Sequence, residues 1–312
     1  MTNSARPLAL ALLLLACSAN GTADGDGADG ADGADGTDGT DGTADGAVIF
    51  TPIGALSPGV STHTLEQRVE GAWVERRFLL HVPEDFDPAA RTPLLFAFHG
   101  SGGVPDPFVR QMEPFVADGA VVGVYPEGLF RSWNLGREDS KADDVAFTEG
   151  ILAMLDGAAG VDTDRAIATG FSNGAALIHE LAMESDPFVG IAPVVSHLLA
   201  EKTPTADAAR VSVLQFSGTE DAAVPYGGGE GVLDYTFLAA EESTAAWAAH
   251  NGCADTPTER ASGDHDILEW GGCLEGRRVV HVRMNGVGHE MPDDIEGDSL
   301  GFLTGFLLES WE

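Results

Sequence analysis

The pentapeptide Gly170-Phe171-Ser172-Asn173-Gly174 sets a serine between two glycines, where a short apolar run, Ala166 to Thr169, meets a helix-like stretch starting at Asn173. A G-x-S-x-G at a strand-to-helix junction predicts a nucleophile elbow, a turn so sharp that the serine is strained and its hydroxyl stands above the sheet edge. Glycines two residues to either side fit this reading, because a side chain at either place would hold strand and helix apart. The same five residues also arise by chance in a glycine-rich chain; the flanking strand and helix make the difference. A serine hydroxyl is a poor nucleophile at neutral pH and needs a base within hydrogen-bond reach and a third group to orient that base. The chemistry would be acyl transfer, with the NH groups and positive dipole end of the following helix favouring an anionic intermediate.

The chain must therefore supply a histidine and a carboxylate, and in α/β-hydrolases both follow the serine, acid first, each on a loop after a strand. Val211 to Phe216 reads as a strand, and the loop after it places Asp221 at a strand end, with Glu220 as the competing carboxylate. Val279 to Met284 is the next strand, and Asn285-Gly286-Val287-Gly288-His289 follows it with glycines that let the loop fold back over the serine. Of the nine histidines, His63 and His81 lie on early strands, His179 within the elbow helix, and His250, His265 and His281 on helix or strand-like ground. His197 is the rival to His289, but it precedes Asp221 and breaks the order. The oxyanion needs preorganised donors: the NH of Asn173 is one, and in the loop His99-Gly100-Ser101-Gly102-Gly103 the NH of Ser101 is the other, unless that loop is a plain glycine-rich turn.

Strands and helices alternate around these loops. Ser61 to Val82 has period two about Glu70-Gly71 and predicts an antiparallel pair at a sheet edge. A strand from Leu94 to Phe98, a helix from Pro107 to Ala117, a strand from Val121 to Tyr125 and a helix from Asp144 to Leu155 lead to the elbow; its helix and a strand from Ile191 to Val195 follow. A helix from Thr236 to His250 separates the acid and histidine strands, and another from Ser299 to Leu308 ends the series. This pattern predicts an α/β fold, a mainly parallel sheet with an antiparallel N-terminal edge and helices on both faces, with the site where strands end.

The chain carries 16 Lys and Arg against 50 Asp and Glu, a formal net charge of −34. Without residues 1–46, which hold Arg6 and eight aspartates, 15 basic residues still face 42 acidic ones, about −27. Such a surface repels phosphate backbones and argues against nucleic acid as a partner. Residues 1–16 read as a signal peptide, with one positive charge at Arg6 and an apolar run from Leu8 too short to span a bilayer. Leu14-Leu15-Ala16-Cys17 resembles a bacterial lipobox, which implies lipidation of Cys17 and a membrane contact through that anchor only. Cleavage nearby or an uncleaved anchor are the alternatives, and each leaves the domain outside the cytoplasm. Residues 17–46, with their Ala-Asp-Gly and Thr-Asp-Gly repeats, cannot build a core and read as a solvated tether ahead of a catalytic domain over 47–312. Calcium binding is the other idea for the repeats, which lack the spacing of an EF-hand loop and the apolar positions of calcium-binding β-helix repeats. Cys253 and Cys273, in one late region, are either a disulfide or two buried free thiols. A bridge closing about 20 residues would stabilise by roughly 3 kcal/mol and imply an oxidising compartment.

Beyond the elbow stand Phe96-Ala97-Phe98-His99-Gly100, Val124-Tyr125-Pro126-Glu127-Gly128, Ser132-Trp133-Asn134, Asp143-Asp144-Val145-Ala146-Phe147 and the stretch from Gly218 to Tyr226. Together these are far more specific than G-x-S-x-G. In them the chain, over roughly residues 60–310, resembles the secreted α/β-hydrolases grouped with poly(3-hydroxybutyrate) depolymerases, feruloyl esterases and acetylxylan esterases of carbohydrate esterase family 1. The resemblance implies an esterase with Ser172, Asp221 and His289, no cofactor and no metal, and an ester substrate: feruloyl or acetyl esters of plant polysaccharide, or a polyhydroxyalkanoate polymer. It also implies the Cys253–Cys273 pair. Two positions depart from the family. Met291 stands where it often has tryptophan, removing an aromatic surface though methionine is adaptable, and Glu127 replaces an aspartate. Trp133 and Asn134 either face the cleft or are structural. The competing readings are a serine peptidase of the same fold and a non-catalytic surface lipoprotein that binds polymer; the intact Ser, Asp and His speak against the second.

Overall fold

The computed structural model describes residues 44–185 and 187–310; the expected signal peptide, Cys17 and nearly all of the tether lie outside them. One sheet of 11 strands organises the chain. In sheet order it runs β1 (Val48–Ile49), β2 (Gly59–Val69), β3 (Ala72–Val82), β5 (Val122–Pro126), β4 (Thr92–Phe98), β6 (Val161–Phe171), β7 (Gly190–Val194), β8 (Ser212–Gly218), β13 (Val279–Met284), β12 (His265–Trp270) and β11 (Thr258–Ser262). The strands from β5 to β13 in that order are parallel, and both flanks are antiparallel. β4 is buried along its whole length, as a strand covered on two faces must be. Alternation sends Leu94, Phe96 and Phe98 into one core and Leu95 and Ala97 into the other.

Helices fill both faces. α1 (Asp106–Ala117) and α5 (Ser299–Leu308) bury Met112, Val116, Leu303 and Phe306 against one. α2 (Asp144–Leu155), α3 (Asn173–Glu184) and α4 (Ala240–His250) bury Phe147, Ile151, Leu177, Leu181 and Trp247 against the other. Asp143 caps α2 by accepting from the Ala146 NH at 2.8 Å, a bond that satisfies one of the orphan donors of a helix start. Its neighbour Asp144 meets Arg76 of β3 at 2.6 Å, both side chains 1% exposed, while the Arg76 guanidinium stacks 4.0 Å from the Phe147 ring centroid and also bonds Gln67. The second Asp144 oxygen accepts the Asn134 NH at 2.7 Å. The Asp143-Asp144 motif is thus a joint between the edge hairpin, α2 and the loop at 132–135. Removing either charge would strand the other in the interior.

One expectation needs correction. The helix expected from Thr236 begins only at Ala240; Thr236–Phe237 is instead β10, pairing with β9 (Gly229–Glu230) in a separate ribbon. Bonds from the Leu238 NH to Leu198 O (2.9 Å) and from the Ala200 NH to Thr236 O (2.8 Å) hold this stretch extended, so tertiary pairing overrides local helix propensity. The sheet also gains a second antiparallel edge, β11 and β12 turning at Gly263, which the sequence hid because β11 has no apolar face to alternate. Cys253 and Cys273 form a disulfide that ties the end of α4 to the end of β12 at this edge.

Three histidines lie buried in the layer of α3 and α4: His179 accepts from the Trp247 indole (3.1 Å), His197 pairs with the Ser217 hydroxyl (3.0 Å) and His281 with that of Thr244 (3.1 Å). Burial pushes their pKa values down to about 3, about 4 and about 3 respectively. The unfolded chain takes up these protons first, near the ordinary value of about 6.5, so the stability they contribute is whole above that pH and is lost as pH falls toward 3 to 4. His281→Gln, whose amide can still pair with the Thr244 hydroxyl, is expected to make stability fall less steeply between pH 6 and 4, by about 1.4 kcal/mol per pH unit in urea melts. An unchanged slope would show that His281 takes up no extra proton on unfolding.

Candidate active site

β6 passes into α3 through Ser172 alone. Its φ of 54° and ψ of −116° lie where a side chain is strained, at a cost of about 1–3 kcal/mol. A Cβ on Gly170 would sit 2.4 Å from the Gly174 carbonyl oxygen, and one on Gly174 would sit 2.4 Å from that of Phe98 and 2.6 Å from that of His99. The Ser172 NH donates to Val194 O at 2.9 Å, pinning the turn to β7.

Asp221 and His289 arrive on loops that are joined to each other. The Thr219 NH donates to Met284 O (3.0 Å), the Glu220 NH to Val287 O (2.9 Å), and the Gly286 NH to the Thr219 hydroxyl (2.8 Å). A Cβ on Gly218 would lie 2.3 Å from Gly288 O, so the two loops touch there without a side chain between them. The Asp221 side chain, 2% exposed, accepts from the Ala223 and Val224 NH groups at 2.8 and 2.9 Å through Oδ1 and meets His289 Nδ1 at 2.7 Å through Oδ2. His289 Nε2 lies 2.8 Å from Ser172 Oγ, and its ring, 22% exposed, packs edge-on to Phe171 at 5.5 Å. With a proton on Nδ1 for Asp221, Nε2 is left as the acceptor for the hydroxyl. Glu220 is exposed and holds Val287 through its backbone. The rival His197 is bound to Ser217 instead.

The loop at His99 borders the serine: a Cβ on Gly100 would lie 3.5 Å from Ser172 Cβ. Buried His99 is kept neutral by desolvation, its pKa pushed down to about 4; Nδ1 donates to Gly100 O at 2.8 Å and Nε2 accepts from the Gly128 NH at 3.0 Å. The Gly102 NH bonds Arg131 O at 2.7 Å. Among the described residues, neither the Ser101 NH nor the Asn173 NH has a protein acceptor.

The Asn173 side chain faces away from a substrate. Its Oδ1 accepts from the Trp133 NH (2.7 Å) and the Ser132 hydroxyl (3.2 Å), and its Nδ2 donates to Trp133 O (3.0 Å) and Glu138 Oε1 (3.2 Å). Trp133 is fully buried, its indole donating to His99 O at 2.7 Å, so of the two readings open for it the structural one holds. Asn134 likewise donates its amide to Ala142 O at 3.0 Å. Sequence reasoning missed Glu138, in a polar loop stretch, and Tyr235, just before the segment misread as the start of α4; no spacing marks either.

No protein-family model matches the chain. It is 28% identical over 233 residues to feruloyl esterase B of Piromyces equi, covering 70% of this chain and 43% of that protein. It is 27% identical to feruloyl esterase C of Emericella nidulans, covering 72% and 81%. Acetyl xylan esterase from Aspergillus awamori superposes with a TM-score of 0.54 at 14% identity, covering 74% of this chain and 94% of that one. Thermogutta terrifontis esterase 2 phosphorylated by paraoxon superposes at 0.51 and 18% identity, covering 80% and 91%. The sheet order, the crossover helices and the strand-to-helix elbow define an α/β-hydrolase fold. Within that class the chain resembles the feruloyl and acetylxylan esterase group, while it spans less than half of the Piromyces protein.

The elbow's packing makes a paired prediction. Gly174→Ala, whose Cβ meets two carbonyl oxygens of the β4 end, is expected to lower stability by about 1–3 kcal/mol. Gly305→Ala, in α5 with nothing within 4 Å, should raise it by about 0.5–1 kcal/mol. Denaturant melts of the two variants test both signs.

Proposed function

We propose that the chain is an exported serine esterase that cleaves carboxylic esters through an acyl-enzyme, with feruloyl or acetyl esters of plant polysaccharide as its substrate class. One observation carries the reading: the continuous run of hydrogen-bond contacts from Ser172 Oγ through His289 to Asp221. Nε2 of the neutral imidazole takes the hydroxyl proton as Oγ attacks the ester carbonyl, and ionised Asp221 stabilises the imidazolium that forms. Negative charge developing on the carbonyl oxygen faces the NH groups of Asn173 and Ser101. His289 returns the proton to the departing alcohol; a water deprotonated by the same Nε2 then releases the acid and restores Ser172. Apart from the ester and one water, every group these steps use is a side chain or backbone NH of this chain.

The names of the sequence relatives support the substrate class. The Cys253–Cys273 disulfide supports passage through an oxidising compartment. Lipidation of Cys17, with residues 17–46 as tether, would hold the catalytic domain at a membrane surface.

Ser172→Ala is expected to lower kcat toward a short p-nitrophenyl ester by about 10⁴-fold or more, and a fluorophosphonate to label Ser172 of the wild type and nothing in the variant. Retained hydrolysis would remove the proposal. Feruloylated xylan, acetylated xylan, poly(3-hydroxybutyrate) and a peptide panel assayed side by side fix the substrate: faster turnover of the polyester would replace the polysaccharide class, and peptide cleavage would redirect the reading to a peptidase.

A further inference from the structure

A buried carboxylate outside the Ser172–His289–Asp221 run lies behind the oxyanion donors. Glu138 is 6% exposed and receives four hydrogen bonds: Oε2 accepts from the Leu135 NH at 2.8 Å, the Arg137 NH at 3.2 Å and the Tyr235 hydroxyl at 2.9 Å, and Oε1 from Asn173 Nδ2 at 3.2 Å. All four partners donate, and the two carboxyl oxygens supply the lone pairs that accept from them. Charge-assisted bonds of this kind are the stronger ones, and at low local dielectric they fix geometry.

From Glu138 the contacts run on in one direction. Asn173, held through Nδ2, pairs its amide with both the NH and the carbonyl of Trp133. The Trp133 indole in turn holds the His99 carbonyl at 2.7 Å, immediately before Gly100 and Ser101. The residue that supplies one oxyanion NH is therefore connected to the loop that supplies the other through a single tryptophan, and the whole run is anchored at Glu138. Tyr235 anchors Glu138 from the far side of the chain: its hydroxyl donates to Oε2 and accepts the Arg137 NH at 2.8 Å, and the Arg137 guanidinium lies 5.0 Å from its ring centroid.

We propose that Glu138, anchored by Tyr235, is a positioning residue that sets the separation of the Asn173 and Ser101 NH groups and so controls stabilisation of the oxyanion. This rests on the esterase reading above. It touches neither substrate nor Ser172, so its effect must fall on the transition state, where the two NH groups must meet one oxygen, and little on ground-state binding.

The test compares wild type, Glu138→Gln and Tyr235→Phe on one p-nitrophenyl ester, with kcat expressed per site titrated by a fluorophosphonate, so that loss of folded protein does not count. Glu138→Gln puts an amide NH₂ among donors; kcat per titrated site is expected to fall about tenfold to a hundredfold with KM within about twofold. Tyr235→Phe removes one donor and should lower kcat about threefold to tenfold; it decides the matter if Glu138→Gln does not fold. A tetrahedral-adduct inhibitor such as a trifluoromethyl ketone should lose affinity in parallel with kcat, which a purely structural role would not produce. Unchanged kcat per site in the folded variants, with only a lower Tm, overturns the positioning role while a labelled, active wild type leaves the esterase reading standing. A wild type that takes up no label overturns both.

Discussion

Everything at the site depends on one steric fact: between β6 and α3 there is room for backbone and nothing else. Gly170 and Gly174 face each other across the turn, and Gly174 also lies against the carbonyls that end β4. The strained φ of Ser172 follows from this contact. It persists because β4 and β6 are paired in register from Leu94–Ala166 to Phe98–Gly170 and their central residues are closed off from water on both faces. The Phe98 and His99 carbonyls thus set the helix start, and the same segment leads into the loop at Gly100 and Ser101. Ser172 and that loop are placed by one contact.

Asp221 and His289 are assembled by a different route. Backbone bonds between the loops after β8 and β13 bring Asp221 and His289 together as a unit before either side chain contributes, and the close passage of Gly218 by Gly288 sets their spacing. The two backbone NH groups on Asp221 Oδ1 leave Oδ2 for the imidazole. An aspartate held in this way cannot turn away from His289 without abandoning those donors, so its contact with the imidazole is fixed by its own turn.

Much of this was legible in the sequence, for reasons that differ by residue. The elbow could be read because glycine is compulsory where a Cβ would strike backbone, and β4, β13, α2 and α5 because an apolar run or period survives in them. Asp221 could be chosen over Glu220 only by its place at a strand end; in the structure Asp221 meets His289 and Glu220 is exposed. Thr236 to Leu238 could not be read, since its extended form depends on Leu198 to Ala200, distant in sequence. Nor could β11, whose Thr-Glu-Arg-Ala run is exposed throughout. Glu138 sits in a polar loop, and only the fold shows that four donors converge on it.

Three buried carboxylates show why residue type alone does not identify function in so acidic a chain. Asp144 faces a guanidinium, a pairing that neutralises it and joins elements. Glu138 faces four neutral donors, so its charge is spread over bonds that fix main-chain positions. Asp221, alone of the three, faces an imidazole, which meets the Ser172 hydroxyl on its other side. Burial raises the cost of an unpaired charge in all three places. In the proposed mechanism Asp221 is set apart because its partner changes charge during the reaction, so its field acts in the transition state where a permanent ion pair or a set of neutral donors would not. The net surface charge has no part in that distinction, because the deciding interactions are direct contacts of 2.7 and 2.8 Å.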